Sequence, residues 1–183
     1  MSWSPSVREA AGGLLVLAAT AGGWIAQAPG QQVTPDKAAQ MVLDSARRAY
    51  NQRNHDFAIR RFREFLQKYG SHTEAPAAWY GLGLALLHAP QIDYRQALGA
   101  FQRAAGRKDL PDRPYALYYV GFVQRRMGDQ SMAEAAAKPR EADRHRNAAV
   151  ANYRQALTSF AAAAAAFAER LKTTSTTAPA RPA

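Results

Sequence analysis

Between residues 37 and 171 the apolar positions recur in steps of three and four. No stretch shows the strict alternation of a strand, so the pattern predicts helices throughout. Thr34 and Pro35 open the first helix. A threonine hydroxyl can accept from a free first-turn amide, and a proline at the first helical position forfeits an N–H that lacks a partner anyway. To about Arg53 this helix carries Val42, Ala46, Ala49 and Tyr50 on one side. A second, from Asp56, aligns Ala58, Phe62, Phe65, Leu66 and Tyr69 in one stripe, with Arg60, Arg61, Arg63 and Lys68 outside it. "SHTE", Ser71 to Glu74, has the spacing of a capping box for the next helix.

That next helix, "APAAWYGLGLALLH", is apolar almost all round and must be covered on several sides. It stops before Pro90, and Asp93 caps its partner, "YRQALGAFQRAA". After "DLPDRP" a second mostly apolar helix, "YALYYVGFVQRRMGD", is expected to close at Gly128. Ser131 and Glu134 suggest a short new helix, which Pro139 must end or kink. From about Arg140 the pattern runs unbroken to Leu171. Val150, Tyr153, Leu157, Phe160, Ala164, Phe167 and Leu171 form the expected seam of a long packed helix. The last residues, 172–183, have no apolar period and are expected to be disordered.

The phrase "YRQAL" occurs at Tyr94 to Leu98 and again at Tyr153 to Leu157, each time with a Phe four residues past the Ala. With Trp79, Leu82, Gly83, Ala97, Phe101 and Ala104, the segment "WYGLGLALL…DYRQALGAFQRA" resembles the tetratricopeptide repeat. That repeat is a helix–turn–helix unit of about 34 residues, matched here with a small extension around Pro90. An earlier unit is read from Val42, Ala46, Ala58, Phe62 and Phe65. A third runs from Leu117, Val120 and Gly121 to Ala156, Phe160 and Ala163, with a helical insertion at about residues 130–152. The resemblance implies an all-α fold: a short solenoid of about three helical hairpins over residues 37–171, ending in a long C-terminal helix. Trp79, Phe101 and Phe160 would be its interhelical core.

The resemblance also implies a groove lined by the first helix of each unit. Its positions fall on Leu43, Arg47 and Tyr50, then Tyr80, Leu84 and Leu87, then Tyr118, Phe122 and Arg125. The Lys and Asn set of the family's carboxylate clamp is missing, so the groove suits an apolar helix or extended segment with some acidic character. Either a protein partner fills it or the chain's own residues 140–171 do. The seam of the C-terminal helix would either cap the solenoid or serve as a projecting arm or a homo-oligomer contact.

Charge adds a competing site. The net charge is +10, and Arg60, Arg61 and Arg63, then Arg103, Arg107 and Lys108, then Lys138, Arg140, Arg144 and Arg146 form three clusters that would suit an anionic polymer. Nucleic acid is disfavoured, because no binding motif is recognised. There is no cysteine, hence no disulfide or thiolate site. His55, His72, His88 and His145 have no metal-ligand spacing, and no nucleophile, base and acid converge in the sequence. No enzyme activity, cofactor or metal is expected.

Residues 10–28 carry no charge and follow a short start containing Arg8, which resembles a secretory signal peptide, or an anchor if uncleaved. Small residues precede two candidate cleavage points, after Ala21 and after Ala28; residues 29–36 then read as a linker. The expectation is an exported protein of the periplasm or envelope, touching membrane only through residues 10–28. N-terminal sequencing of protein from its native host should therefore find Gly22 or Pro29 first, and a soluble cytoplasmic chain retaining Met1 would contradict export.

Overall fold

The structure, a computed structural model, describes residues 34–177. The segment expected to be an export signal, most of the expected linker and the end of the tail lie outside the described residues. Six α-helices follow one another: α1 (Pro35–Asn51), α2 (His55–Lys68), α3 (Ala75–His88), α4 (Tyr94–Ala105), α5 (Arg113–Ala137) and α6 (Ala142–Thr177). A 3₁₀ turn at Pro139–Glu141 separates the last two. No strand occurs among the described residues, and each helix packs on the next, so the fold is all-α and helical-repeat-like. No helix among them is long and apolar enough to cross a membrane.

Local chemistry sets most of the ends. The Thr34 hydroxyl accepts from the Lys37 amide at 3.3 Å, and the Asp93 carboxylate accepts from the Gln96 amide at 2.9 Å, both as the sequence predicts. Between α1 and α2 the chain reverses through Arg53 at φ 60°, whose amide bonds back to the Tyr50 carbonyl, while Asn54 caps α2. The expected capping box at "SHTE" does not form. The Glu74 amide donates instead to His72 Nδ1 at 3.0 Å, and the Glu74 carboxylate accepts from Arg47 of α1 at 2.7 Å. A tertiary ion pair has taken the side chain that the cap would have used.

The core is built from rings that enter spaces left by glycine. A Cβ on Gly83 would lie 2.7 Å from the Phe101 ring, one on Gly121 2.9 Å from Phe160, and one on Gly128 2.6 Å from Tyr153. A Cβ on Gly81 would collide with the ring of Phe62. Phe101 is fully buried and stacks on Tyr119 at 5.0 Å with 11° between the planes, so its ring has nowhere to retreat. Trp79 is only half-buried, with the Arg103 guanidinium 4.3 Å above it, and Phe160 is likewise half-buried.

Two expectations about the last hairpin are corrected. Gly128 does not end α5, which runs on to Ala137; the Tyr153 ring fills the space at Gly128 and holds the helix together there. Ser131 and Glu134 lie inside α5 rather than starting a new helix, and the inserted segment lengthens α5 and α6 on either side of Pro139. The long helix also turns a different face inward. Val150, Leu157 and Leu171 are 45%, 69% and 70% exposed, while Ala142, Ala149, Ala156 and Ala163, one heptad apart, are buried. α5 buries Gly121, Gly128 and Ala135 at the same spacing. Small residues on both helices allow a close approach that leucines would prevent, and Tyr153, Phe160 and Phe167 flank the contact. Phe167 meets Tyr115 edge-on at 4.9 Å. Beyond Leu171 the helix continues to Thr177, past the point where disorder was expected.

Ordinary helix propensity favours alanine over glycine by roughly 1 kcal/mol. Gly83→Ala should nevertheless destabilise the protein by about 1–3 kcal/mol, because the added methyl overpacks against a fixed ring. Phe101→Ala should cost about 3–5 kcal/mol. Thermal melts check both, and a Gly83→Ala chain that melts higher than its parent would show that the ring yields.

Candidate functional site

The nine groove positions divide by unit. Leu43 is 0% exposed, so it belongs to the core and cannot meet a partner. Arg47 is engaged with Glu74 and, at 3.7 Å, with Asp44. The Tyr50 hydroxyl lies 3.0 Å from His88 Nδ1, which joins α1 to the end of α3. The first unit's positions therefore hold α1 against α3 and leave little to offer a ligand.

The second and third units keep surface. Tyr80, Leu84, Leu87 and Phe122 are half-buried, and Tyr118 is 43% exposed. Their rings connect through Tyr119, a residue that the repeat reading did not single out. Tyr119 lies 6.1 Å from Tyr80, 5.5 Å from Tyr118 and 6.3 Å from Phe122, centroid to centroid. The run "YALYYVGF" is apolar all round, so its periodicity could not tell which tyrosine faces inward. Burial pushes the Tyr80 phenol well above its usual pKa, with Tyr119 and Asp112 adding to the effect, so this hydroxyl stays neutral. At the other end of the row the guanidinium carbons of Arg125 and Arg126 sit 6.0 and 5.7 Å from the Phe122 ring. α6 packs on α5 and the 3₁₀ turn.

The arginine clusters are dispersed and partly neutralised. Arg61 pairs with Glu64, Arg107 with Asp109, Arg144 with Glu141 and Arg146 with Asp143. Arg60, Arg63 and Arg103 have no carboxylate within ion-pair distance among the described residues. Lys108, Lys138 and Arg140 are exposed. The structure thus brings α2 and α4 cations near one another but leaves Lys138 to Arg146 around the turn between α5 and α6.

The histidines, scattered in sequence, lie at junctions. His72 Nε2 is 2.9 Å from the Asp36 carboxylate, and His145 Nδ1 is 3.0 Å from that of Glu134. The His55 and His88 rings stand 5.7 Å apart, with Tyr50 against both. No group of His, Cys, Asp or Glu among the described residues could hold a metal ion.

No protein-family profile matches this chain, no curated protein is significantly similar to it in sequence, and no solved structure is significantly similar to its fold.

Burial lowers the His55 pKa, with His88 and Arg53 adding to the effect and Asp56 opposing it. Because the folded state holds this proton more weakly than the unfolded chain, the unfolded chain binds more protons as pH falls. The His55 contribution to stability is therefore present above the ordinary histidine range and is lost as pH drops through it. Melting temperature should fall on acidification from about pH 7.5 to 5.5, a window spanning the ordinary histidine pKa of about 6.5. His55→Gln should shrink that fall, and an unchanged pH profile in this variant would exclude His55 as its source.

Proposed function

We propose that the chain is a non-enzymatic interaction scaffold, an exported assembly factor of a bacterial cell envelope that holds a partner segment along the first helices of its hairpins. The observation behind this reading is the aromatic row Tyr80, Tyr118 and Phe122, linked ring to ring through Tyr119 and closed at one end by Arg125 and Arg126. Large rings with one polar end, held by neighbours at little further entropic cost, are the anchors on which protein interfaces concentrate their energy.

The resemblance to tetratricopeptide repeats is supported by a recurring contact. Gly83 against Phe101 and Gly121 against Phe160 join positions that the sequence comparison equates between units. Ala58, Ala97 and Ala156, also equated, are all buried. In such repeats the first helices form the binding face. A partner segment with apolar side chains and some acidic character would suit the aromatic row and its arginine end.

The reading is tested by isolating the partner from envelope extract with the tagged chain, then titrating the purified pair. Tyr118→Ala and Phe122→Ala should each weaken binding by about 2 kcal/mol or more. Affinity should change little between low and moderate salt. A steep loss with salt, approaching one logarithmic unit of affinity per logarithmic unit of salt for each phosphate-like contact, would instead place binding on the arginine clusters and an anionic polymer. The triple change of Arg60, Arg61 and Arg63 to Gln would then abolish it.

A further inference from the structure

The second helices of the first two hairpins, α2 and α4, flank a channel of about 850 Å³ that the aromatic row does not line. Its floor is Leu82 and Leu86 of α3, with Leu66 and Trp79 at the sides. Its rim carries Arg63 and Arg103 together with Gln67, Gln96 and Gln102, and no carboxylate lines it. Arg63 meets only the side-chain oxygen of Gln96, and Arg103 lies over Trp79. Two guanidiniums are thus held in place by a neutral amide and a ring, neither with a carboxylate at ion-pair distance; the Asp93 carboxylate, bonded to Gln96, partly balances Arg63.

A second observation comes from Gly99, in the middle of α4. The glycines at 81, 83, 121 and 128 each leave room for a ring, but a Cβ at Gly99 would meet nothing within 4 Å. A glycine in a helix interior costs about 1 kcal/mol relative to alanine, and here no neighbour requires it. It lines the channel, four residues from Arg95 and four from Arg103, so it leaves bare backbone between two cations on one helix face. The channel runs on past Arg63, Leu86 and Gln96 into a wider cavity of about 1020 Å³, where Arg60 and Arg95 are offset by Asp56, Asp93 and Glu134, so the cationic excess belongs to the channel itself.

We infer that this channel is a second docking site, for an acidic amphipathic protein segment that lays apolar side chains on Leu66, Trp79 and Leu82 and carboxylates against Arg63 and Arg103. The cationic rim selects acidic flanks, and the apolar floor selects against a simple polyanion, which would leave it unsatisfied. The bare backbone at Gly99 lets the segment approach closely. This site stands apart from the aromatic row, so it does not depend on the function proposed for that row.

The test uses the full chain and a fluorescein-labelled synthetic peptide of Glu-Leu-Leu-Glu repeats, read by fluorescence anisotropy. The peptide should bind saturably. Arg63→Gln with Arg103→Gln should weaken it at least about tenfold. Gly99→Glu should do the same by filling the gap and pairing with Arg103, while keeping its helical circular dichroism. Gly99→Ala should melt higher, because nothing opposes the methyl and the helix gains propensity, yet weaken the peptide at least about threefold, because the methyl takes the space the segment approaches. Tyr118→Ala should leave binding unchanged. No binding, or a Gly99→Glu chain that binds like its parent, would overturn the proposal. So would equal competition by a Glu-Ala-Ala-Glu peptide or a single-stranded oligonucleotide, since the surface would then read charge alone. Loss in Tyr118→Ala with retention in Gly99→Glu would move the peptide to the first-helix row and overturn it too.

Discussion

Helices rich in alanine and glycine give their neighbours few side chains to grip, yet α3 and α5 are covered on several sides. What makes this work is the entry of one aromatic ring from a neighbouring helix into the space where a glycine has no side chain. Phe62 at Gly81, Phe101 at Gly83, Phe160 at Gly121 and Tyr153 at Gly128 repeat the same contact from hairpin to hairpin. The ring supplies the buried apolar area and the glycine supplies the closeness, so neither can change alone. Registration follows from it as well, because a ring seated in one gap cannot slide by a residue without striking a Cβ. In the last hairpin Gln124 strengthens that registration: it is buried, and its side-chain oxygen accepts from Ser159 at 2.8 Å.

Polar side chains then hold what the rings position. His72 to Asp36, Arg47 to Glu74, and Tyr50 to His88 all connect α1, directly or through the turn after α2, with the hairpin that follows. At the far end Tyr153 donates to Asp129 at 2.9 Å, and His145 reaches Glu134. These contacts are mostly near the surface and individually modest. Their effect is to engage the polar groups at the first unit's expected groove positions, which leaves the available aromatic surface on α3 and α5. The two candidate surfaces thus differ in kind: a row of rings on first helices, and a cation-rimmed channel between second helices.

The all-α class, the identity of most helices and the caps at Thr34 and Asp93 were legible in the residues alone, because each depends on local spacing and local hydrogen bonds. α3 spans the predicted stretch "APAAWYGLGLALLH", and Asp93 caps α4 as read. The recurrence of "YRQAL" located two second helices, since Ala97 and Ala156 must both be small where helices cross. The candidate site was legible in part. Tyr80, Tyr118 and Phe122 could be chosen from the repeat register, but Leu43 could not be recognised as core, nor Arg47 and Tyr50 as engaged. Those outcomes depend on Glu74 and His88, which lie far along the chain.

Tertiary structure decided the rest, for a single physical reason: a glycine or an apolar-all-round helix carries no record of which neighbour will fill or cover it. Gly128 looked like a helix terminator and is a seat for Tyr153. In α6 the larger residues Val150, Leu157 and Leu171 have the spacing of a seam but stay exposed: Tyr153 and Phe160 seat at the glycines of α5, and the alanines turn inward between them. Only the assembled helices set Arg63 and Arg103 on one channel and left Gly99 open on its wall. Local pattern determined where the helices form and which side chains they carry. Which faces meet, and which residues remain to meet a partner, was settled by the distance at which those helices could approach.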